Sequence, residues 1–345
     1  MPFLFSKRRV SVSVLLSGVM TMYDLITIGR ANMDLFSADI GAEFVDATAF
    51  VPQVGGSPTN IAIGTARLGL NSAVITAVGH DLVGDFIIKY LGNKGVQTDL
   101  IARKDGKSSL ALLGVKPPDQ FPLLFYRENP PDIWLTIDDL PDFSRTKSFL
   151  VSGTALARGS CANATFFAAE QARAAGNLVW MDIDLRPDQW DHPMSCGTTM
   201  RRMLPLIDIV IGTEEELWAT INLDPAGWHG NQAVTAEERA QVEAWVTDTT
   251  AKSEQIIVLK RGKEGVSIFE GGQELKVPGY PVEILNTVGA GDAFASGLIF
   301  ARHQGKNWYD SGRFANACGA LVVTRHGCAE ALPALAEVET FIENY

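Results

Sequence analysis

The sequence predicts an α/β protein with a mainly parallel central sheet and a small separate β-sheet. The first reason is that short apolar strands alternate with helical segments along most of the chain, which is typical of βαβ units. The second is that two strand-like runs flank a turn-rich segment, as in an antiparallel hairpin. We find no internal repeat and no low-complexity linker, so we expect a single domain over residues 22–340.

The first βαβ unit lies near the start of this domain. Residues 24–29 form an apolar run that ends at a glycine, as expected for a buried strand of a parallel sheet. Residues 58–68 place apolar side chains at helical spacing, and residues 73–78 form the next apolar strand. A second helix is predicted to end at about Gly92.

The small sheet is assigned to two separated segments. Residues 109–115 and 123–127 are strand-like and are joined by the turn-rich residues 116–119. The mixed polar and apolar residues 35–52 would add to the same sheet. We therefore expect a β lid formed by residues 35–52 and about 108–128.

The second half of the chain continues the alternation. Apolar strands recur with helical segments between them, at residues 149–153, 178–182, 207–212 and 255–260. A late antiparallel hairpin is predicted at residues 265–269 and 274–277. Two helices, at residues 292–303 and 308–324, follow it.

Charge and cysteine usage limit the partners of the protein. The net charge is −11 over 345 residues, so a broad surface for nucleic acid or for an anionic membrane is not expected. The four cysteines lie far apart, and the five histidines form no metal-binding pattern. These features favour free thiols in a reducing compartment, and we expect a cytoplasmic protein.

The N-terminal residues 1–21 are interpreted as an extension. Three basic residues precede an apolar stretch at residues 10–20, which superficially resembles a signal peptide, but no convincing cleavage site follows. Met20 and Met22 are plausible starts, so we expect the extension to be disordered or to come from a mis-annotated start. The rest of the chain has no segment apolar enough to span a membrane.

A glycine-rich turn leads directly into an apolar helix at residues 286–294, Asn-Thr-Val-Gly-Ala-Gly-Asp-Ala-Phe. Small residues let successive N–H groups point at one spot, and the helix N-terminus adds partial positive charge there. This arrangement suits a phosphoryl oxygen, or the charge that develops on it during transfer. Asp292 could accept a proton from an attacking hydroxyl. The alternative is that Asp292 only caps the helix.

Two motifs resemble signatures of the ribokinase-like (PfkB) carbohydrate kinase family. Residues 286–299 are similar to its C-terminal signature. Residues 55–62, Gly-Gly-Ser-Pro-Thr-Asn-Ile-Ala, followed by Gly69 and Gly79, are similar to its N-terminal signature. The resemblance covers about residues 23–333. It implies a ribokinase-like three-layer α/β/α sandwich with a β lid, and ATP-dependent phosphorylation of a sugar hydroxyl.

The resemblance also implies roles for single residues at the sugar. The backbone of Gly55 and Gly56 would approach the sugar, and the side chains of Asn60 and Asp34 would bind it. For Asp34, the alternative is a solvated turn residue. The anion hole and the catalytic base would be formed by Gly289, Ala290, Gly291 and Asp292.

On the nucleotide side the resemblance implies a further set of residues. Residues 213–216 look like the family's Asn-x-x-Glu motif, which assigns Glu216 to Mg²⁺, with Thr213 in place of the Asn. Without the resemblance, three Glu residues at a helix start are more often partners of the helix dipole. The residues assigned to ATP are Lys260, Gly262 and Gly265 in a strand-end loop, and Asn316 where the family contacts adenine.

The expected cofactors are therefore ATP and Mg²⁺. A monovalent cation such as K⁺ is a third candidate in this family. Asn286 stands where many relatives carry Asp near the monovalent-cation site, and this replacement argues against activation by K⁺.

Two arginines point to the class of sugar. Arg127 ends the predicted lid hairpin and Arg186 follows a core strand, at the edge of the sheet where ligands bind. An Arg side chain can hold a carboxylate by two hydrogen bonds, so two of them would select a sugar acid. The alternative is that they form structural ion pairs: Arg127 with Glu128 or Asp132, and Arg186 with Asp182 or Asp184.

Within the family, the segments around these arginines are similar to kinases of 2-keto-3-deoxygluconate. Together with residues 29–31, 211–216 and 260–262, residues 126–129 and 182–187 are more closely similar to kinases of 5-dehydro-2-deoxygluconate in myo-inositol catabolism. A neutral-sugar kinase of the fructokinase or ribokinase type is the nearest alternative. A non-catalytic sugar-sensing protein on the same fold is expected to lack the intact Gly-Ala-Gly-Asp turn. A dehydrogenase is disfavoured because no GxGxxG motif opens a helix after the first strand. Pairing of two chains through the lid is compatible with the family.

Overall fold

The structure, a computed structural model, describes residues 22–116, 120–228, 230 and 232–345, so the predicted extension at residues 1–21 lies outside it. In chain order the strands are β1 (Tyr23–Ile28), β2 (Asn32–Ser37), β3 (Phe50–Gly55), β4 (Ser72–Gly79), β5 (Ile101–Lys104), β6 (Ser109–Leu113), β7 (Leu123–Tyr126), β8 (Thr146–Ser152), β9 (Leu178–Asp182), β10 (Ile209–Thr213), β11 (Ile256–Lys260), β12 (Gly265–Glu270) and β13 (Gln273–Pro278). The α-helices are α1 (Ser57–Leu68), α2 (Leu82–Asn93), α3 (Ser160–Ala174), α4 (Pro193–Met203), α5 (Glu214–Ile221), α6 (Ala236–Lys252), α7 (Ala290–His303), α8 (Trp308–Val323) and α9 (Leu335–Glu343).

The central sheet contains nine of the described strands, in the order β13-β12-β11-β10-β9-β8-β1-β4-β5. Neighbours from β11 to β5 pair in parallel, whereas β12 pairs antiparallel with both β11 and β13. Parallel strands with helices on both sides need apolar residues on both faces, and all eight residues of β4 are buried. The predicted parallel sheet and late hairpin are confirmed.

Each face of the central sheet has its own hydrophobic core. Successive residues of a strand point to opposite faces. Leu25 packs in one cluster with residues of α1 and α7, such as Ile61 and Leu298. Its neighbour Ile26 packs in a second cluster with residues of α3 and α5, such as Leu217. The expected three-layer α/β/α sandwich is therefore confirmed.

The small sheet has the strand order β3-β2-β6-β7. Strands β6 and β7 pair antiparallel, as predicted for this hairpin, and β2 pairs in parallel with β6. The antiparallel pairing of β2 with β3 matches Asn32 with Gly55 and Asp34 with Gln53. These strands extend beyond residues 35–52 at both ends, so the small sheet itself contains two predicted sugar-site residues.

Among the described strands and α-helices, two were not predicted, and both lie at the periphery. Strand β5 adds to the sheet edge beside β4, and α9 buries Val338 in the core on the α7 side. Among the helices of the described residues, none has the length and apolar character needed to cross a bilayer.

Candidate active site

The glycine-rich turn lies at the start of α7, and its backbone leaves no room for larger residues. Gly289 is the N-cap and has a φ of +85°, in the left-handed region that favours glycine. A Cβ at Gly289 would lie 2.6 Å from the Cys328 sulfur. Asp292 comes three residues after the cap, within the first helical turn, so Asp292 is not the residue that caps the helix.

The Asp292 carboxylate is held by residues of the other predicted signature. The Asn60 side-chain amide, on α1, donates a 2.7 Å hydrogen bond to Asp292 Oδ2. Burial raises the pKa of Asp292, and the charge of Asp184 raises it further. Hydrogen bonds from Asn60 and Ser57 act in the opposite direction. A carboxylate with a raised pKa is a better general base near neutral pH than an ordinary Asp.

Each of the two glycines of the N-terminal motif packs closely against a neighbour, and for Gly55 that neighbour is Asp34. A Cβ at Gly55 would lie 1.8 Å from Asp34 Oδ2. Gly56 has a φ of +110°, and a Cβ there would lie 2.5 Å from the Arg30 carbonyl oxygen. Glycine is therefore required at both positions, by close approach at Gly55 and by both backbone angle and close approach at Gly56.

Asp34 belongs to the same site as Asp292. It lies within β2 and is only 9% exposed, so the alternative of a solvated turn residue is wrong. Asn32 donates a hydrogen bond to its carboxylate. Burial raises the pKa of Asp34 to about 6, and the nearby charge of Asp292 contributes to the rise. The structure thus brings Asp34, Asn60 and Asp292 together.

Both predicted arginines make ion pairs within the chain. Arg127 donates hydrogen bonds of 2.7 and 2.8 Å to the two carboxylate oxygens of Asp132. Arg186 Nη2 lies 2.8 Å from Asp184 Oδ1. Asp184 has a φ of +40°, and strained backbone of this kind clusters at functional sites. The alternative of structural ion pairs is therefore what the structure contains, with Asp132 and Asp184 as the partners.

A third arginine, which sequence reasoning did not single out, lies near these two. Arg30 is 6% exposed, and its charge interacts with those of Arg127, Arg186, Asp184 and Asp34. The signal available in the sequence was its position two residues after β1, at the edge of a parallel sheet where ligands bind.

A second charged cluster lies at the carboxyl ends of β9 and β11. Lys260 Nζ is 3.3 Å from Asp182 Oδ1 and 3.5 Å from Glu216 Oε2. Ser57 donates a 3.1 Å hydrogen bond to the other oxygen of Asp182. Burial raises the pKa of Asp182, while the charge of Lys260 lowers it. A Cβ at Gly291 would lie 3.5 Å from Lys260 Nζ, so this cluster borders the glycine-rich turn.

Glu216 and Thr213 together cap the start of α5. This capping role accounts for a threonine at the position where the family motif has Asn. Thr213 is the N-cap, and its N–H donates a 2.7 Å hydrogen bond to Glu216 Oε2 in a capping box. Glu216 Oε1 accepts a 3.2 Å hydrogen bond from the Leu185 N–H. The described residues contain no group of three or more His, Cys, Asp or Glu side chains placed to hold a metal ion. Both Glu216 oxygens already accept hydrogen bonds, so this carboxylate suits contact with Mg²⁺ through a water ligand better than direct ligation.

Three of the residues predicted to contact ATP, Asn316, Gly262 and Gly265, shape or fix the backbone around them. Asn316 Nδ2 donates hydrogen bonds of 3.2 Å to the Val277 oxygen and 3.0 Å to the Pro278 oxygen, which fixes the end of β13. Gly262, with a φ angle of +55°, lies in the loop between β11 and β12, and Gly265, with a φ angle of +100°, is the first residue of β12. Their contacts with ATP stay predictions.

Asn286 has both ends of its side-chain amide engaged. Its Nδ2 donates a 3.0 Å hydrogen bond to the Gly327 oxygen, and its Oδ1 accepts a 2.9 Å hydrogen bond from the Val288 N–H. The amide therefore ties the glycine-rich turn to the segment after α8. An uncharged side chain with a bonded N–H does not offer the carboxylate that a monovalent cation would favour.

Comparison with known proteins agrees with this geometry. The family model described as "pfkB family carbohydrate kinase" matches residues 22–335. A curated relative named 5-dehydro-2-deoxygluconokinase, from Geobacillus kaustophilus (strain HTA426), is 34% identical over 327 residues, which cover 93% of this chain and 94% of that protein.

Solved structures show the same fold. A putative ribokinase II from E. coli, in its apo form, has a TM-score of 0.80 at 25% identity and covers 94% of this chain and 100% of that chain. A fructokinase from Vibrio cholerae O395, with fructose, ADP and calcium ion bound, has a TM-score of 0.78 at 27% identity. That match covers 93% of this chain and 99% of the fructokinase.

Proposed function

The chain belongs to the pfkB family of carbohydrate kinases, and we propose that it transfers the γ-phosphoryl group of ATP to the C6 hydroxyl of 5-dehydro-2-deoxy-D-gluconate, a step of myo-inositol catabolism. The name of the Geobacillus relative supports this substrate. The observation that carries the proposal is the Asn60–Asp292 hydrogen bond, because it joins the two signatures at one carboxylate. We place the reaction in the cytoplasm, since ATP is available there and the four cysteines are free thiols.

In the proposed reaction Asp292 accepts the proton of the sugar hydroxyl as its oxygen attacks the γ-phosphorus. Asn60 orients the carboxylate of Asp292 through the 2.7 Å hydrogen bond. Asp34 and the backbone of Gly55 and Gly56 hold the sugar so that its hydroxyl is in line with the bond to ADP. The small sheet covers this side of the site and limits the access of water, which would otherwise compete as an acceptor.

The charge of the transferring phosphoryl group is stabilised at the start of α7. We assign this role to the glycine-rich turn of Gly289, Ala290 and Gly291, together with the positive end of the helix dipole. The Ala290 N–H donates a 3.3 Å hydrogen bond to the Thr287 oxygen in this structure, so it would have to leave that oxygen to bind the phosphoryl group. Lys260, which borders Gly291, adds a full positive charge. Mg²⁺, when bound with ATP, neutralises phosphate charge. Glu216 and Asp182 are the carboxylates that would hold this ion.

The test is a substrate panel with the purified full-length chain and MgATP, read as ADP release. The panel contains 5-dehydro-2-deoxy-D-gluconate, 2-keto-3-deoxy-D-gluconate, fructose and ribose. We expect the highest kcat/KM with 5-dehydro-2-deoxy-D-gluconate, and a phosphomonoester at C6 of the product. A higher kcat/KM with 2-keto-3-deoxy-D-gluconate would keep the sugar-acid class and reject the named substrate.

A neutral-sugar kinase is the second candidate, and the ion pairs of the two predicted arginines favour it. Arg127 donates two hydrogen bonds to Asp132, and Arg186 forms an ion pair with Asp184. Neither guanidinium therefore has its pair of N–H donors available for a substrate carboxylate. If fructose or ribose gives a higher kcat/KM than both sugar acids, this second function replaces the first.

We further propose that two chains pair through their small sheets. Strand β7 is an edge strand, and its residues Leu123, Leu124 and Tyr126 are 46%, 49% and 59% exposed. Exposed apolar edge strands readily pair with another strand. Light scattering is expected to give the mass of a dimer, and Leu124→Lys should shift it toward the monomer. A monomeric wild-type chain at micromolar concentration would contradict the pairing.

A further inference from the structure

Arg30 carries a buried positive charge, and two of its N–H donors make no hydrogen bond to the described residues. The residue is 6% exposed, and within the part of the chain that the structure describes its Nε and Nη1 atoms have no hydrogen-bond partner. Its guanidinium carbon lies 5.2 Å from the centre of the Phe125 ring, a favourable contact that satisfies neither N–H group. Burial also lowers the pKa of Arg30, because it disfavours the charged form. A buried charge with unsatisfied N–H donors destabilises the folded state unless a ligand or side chain pairs with it.

The neighbouring arginines differ from Arg30 because each has its own carboxylate. Arg127 is matched by Asp132, and Arg186 by Asp184. The charge of Asp184 is attractive to Arg30 as well, but its ion pair is with Arg186. Of the three arginines, Arg30 is the one that forms no ion pair within the described residues, although the charges of Asp184 and Asp34 attract it.

Arg30 lies on the sugar side of the proposed site. Its carbonyl oxygen is the group that a Cβ at Gly56 would strike, at 2.5 Å, so its backbone touches the motif assigned to the sugar. Its guanidinium is stacked on Phe125, which belongs to β7 of the small sheet. The phosphate side, by contrast, is marked by Lys260 beside Gly291. A ligand group that reaches Arg30 would therefore belong to the sugar and not to ATP.

We propose that Arg30 binds a carboxylate of the substrate and thereby selects a sugar acid over a neutral sugar of the same shape. The inference rests on the proposed phosphoryl transfer at Asp292, and it assigns the carboxylate to a residue other than Arg127 and Arg186. These two act as positioning residues, because they keep Asp132 and Asp184 occupied. A guanidinium offers a carboxylate both opposite charge and several donors. Because Nε and Nη1 of Arg30 are buried and its guanidinium stacks on Phe125, the proposal requires Phe125 to move when the carboxylate binds.

The experiment compares Arg30→Met with the wild-type chain. The substrates are 5-dehydro-2-deoxy-D-gluconate and the matching ketose in which a hydroxymethyl group replaces the carboxylate. We expect Arg30→Met to lower the ratio of the two kcat/KM values about 100-fold, because it removes the charge that only the acid uses. The KM for ATP should change less than about threefold, because ATP does not contact Arg30. The control is Arg103→Met, which removes an equal charge from the ion pair of Arg103, on β5, with Asp85. It should leave the ratio of the two kcat/KM values and the KM for ATP unchanged.

Arg30→Lys keeps the charge and is the second variant if Arg30→Met does not fold, which circular dichroism will show. We expect Arg30→Lys to retain part of the preference for the acid, since it offers a point charge without the planar fork. Titration calorimetry with D-gluconate and D-glucitol measures the same preference without turnover. A folded Arg30→Met that keeps the wild-type ratio overturns the role of Arg30 while leaving the kinase function intact. Failure of the wild-type chain to phosphorylate any sugar acid instead rejects the proposed function.

Discussion

The sugar side and the phosphate side of this site are built in different ways. The centre of the phosphate side is one continuous stretch, residues 286–294, in which backbone amides and a helix start provide partial positive charge, and Lys260 lies beside it. The sugar side is assembled from side chains on β2, α1 and the segments after β1 and β9, far apart in sequence. Its carboxylates and two of its arginines, Arg30 and Arg127, are buried, and burial raises the pKa of Asp34 to about 6.

This difference indicates which part of the site should tolerate amino-acid substitutions. Backbone amides cannot be removed by changing a side chain, so the phosphate side is sensitive mainly at residues whose Cβ would move the turn. The sugar side depends on which side chains pair with which, so single substitutions there should change specificity and stability before they abolish turnover. The following predictions test this contrast, from the largest expected effect to the smallest.

We expect the largest effect at Asp292, where the sugar side and the phosphate side meet. Asp292→Asn should lower kcat about 1,000-fold, because the amide cannot accept the proton of the attacking hydroxyl. The fold should be retained, since Asn can still accept the hydrogen bond from Asn60. Steady-state kinetics with a thermal unfolding curve checks both statements. Turnover near the wild-type value would remove Asp292 from the role of base.

The phosphate side should fail when its backbone moves. Gly289→Ala places a Cβ 2.6 Å from the Cys328 sulfur at a φ of +85°, so the turn must shift. We expect kcat to fall about 100-fold, the usual effect of displacing one donor from a developing charge. The matched control is Gly271→Ala, which has a φ of +58° but open space around it, in the turn between β12 and β13. Equal kcat losses in both variants would mean that strain alone, and not the anion hole, explains the effect.

The same contrast explains what could be predicted from the sequence. Residues 286–294 are contiguous, so the turn and its helix were predictable from local composition, as was the alternation that gives the parallel sheet. The pairing of Arg127 with Asp132, or of Asn60 with Asp292, depends on tertiary contacts that no local pattern encodes. Arg30 was missed because its unmatched donors become visible only once its neighbours are placed.

On the sugar side, burial of Asp34 should cost stability. Its pKa is about 6 in the folded chain and 3.8 when exposed, so between these pH values the folded state binds more protons than the unfolded state. The free energy of unfolding contributed by this group therefore falls as the pH rises from about 4 to 6. Asp34→Asn, which cannot ionise, should raise the free energy of unfolding by about 1–3 kcal/mol at pH 8.

Urea unfolding at pH 8 and pH 5 checks this prediction for Asp34. The gain from Asp34→Asn should be smaller at pH 5, where part of the Asp34 population in the folded wild type is already protonated. The KM for the sugar should rise in the variant, because the carboxylate is lost as an acceptor. A variant that is less stable than the wild type at pH 8 would show that the Asp34 charge stabilises the fold.

The smallest effect is expected at Asn286, where the phosphate side touches the segment after α8. In the wild type, its Nδ2 donates a 3.0 Å hydrogen bond to the Gly327 oxygen, so that oxygen already has an N–H partner and is less available to a cation. Replacing NaCl or choline chloride with KCl should therefore change wild-type kcat less than about twofold. Asn286→Asp puts a carboxylate oxygen against the Gly327 oxygen, and we expect its kcat to become dependent on K⁺. Strong activation of the wild-type chain by K⁺ would mean that the cation binds despite the Asn286 amide.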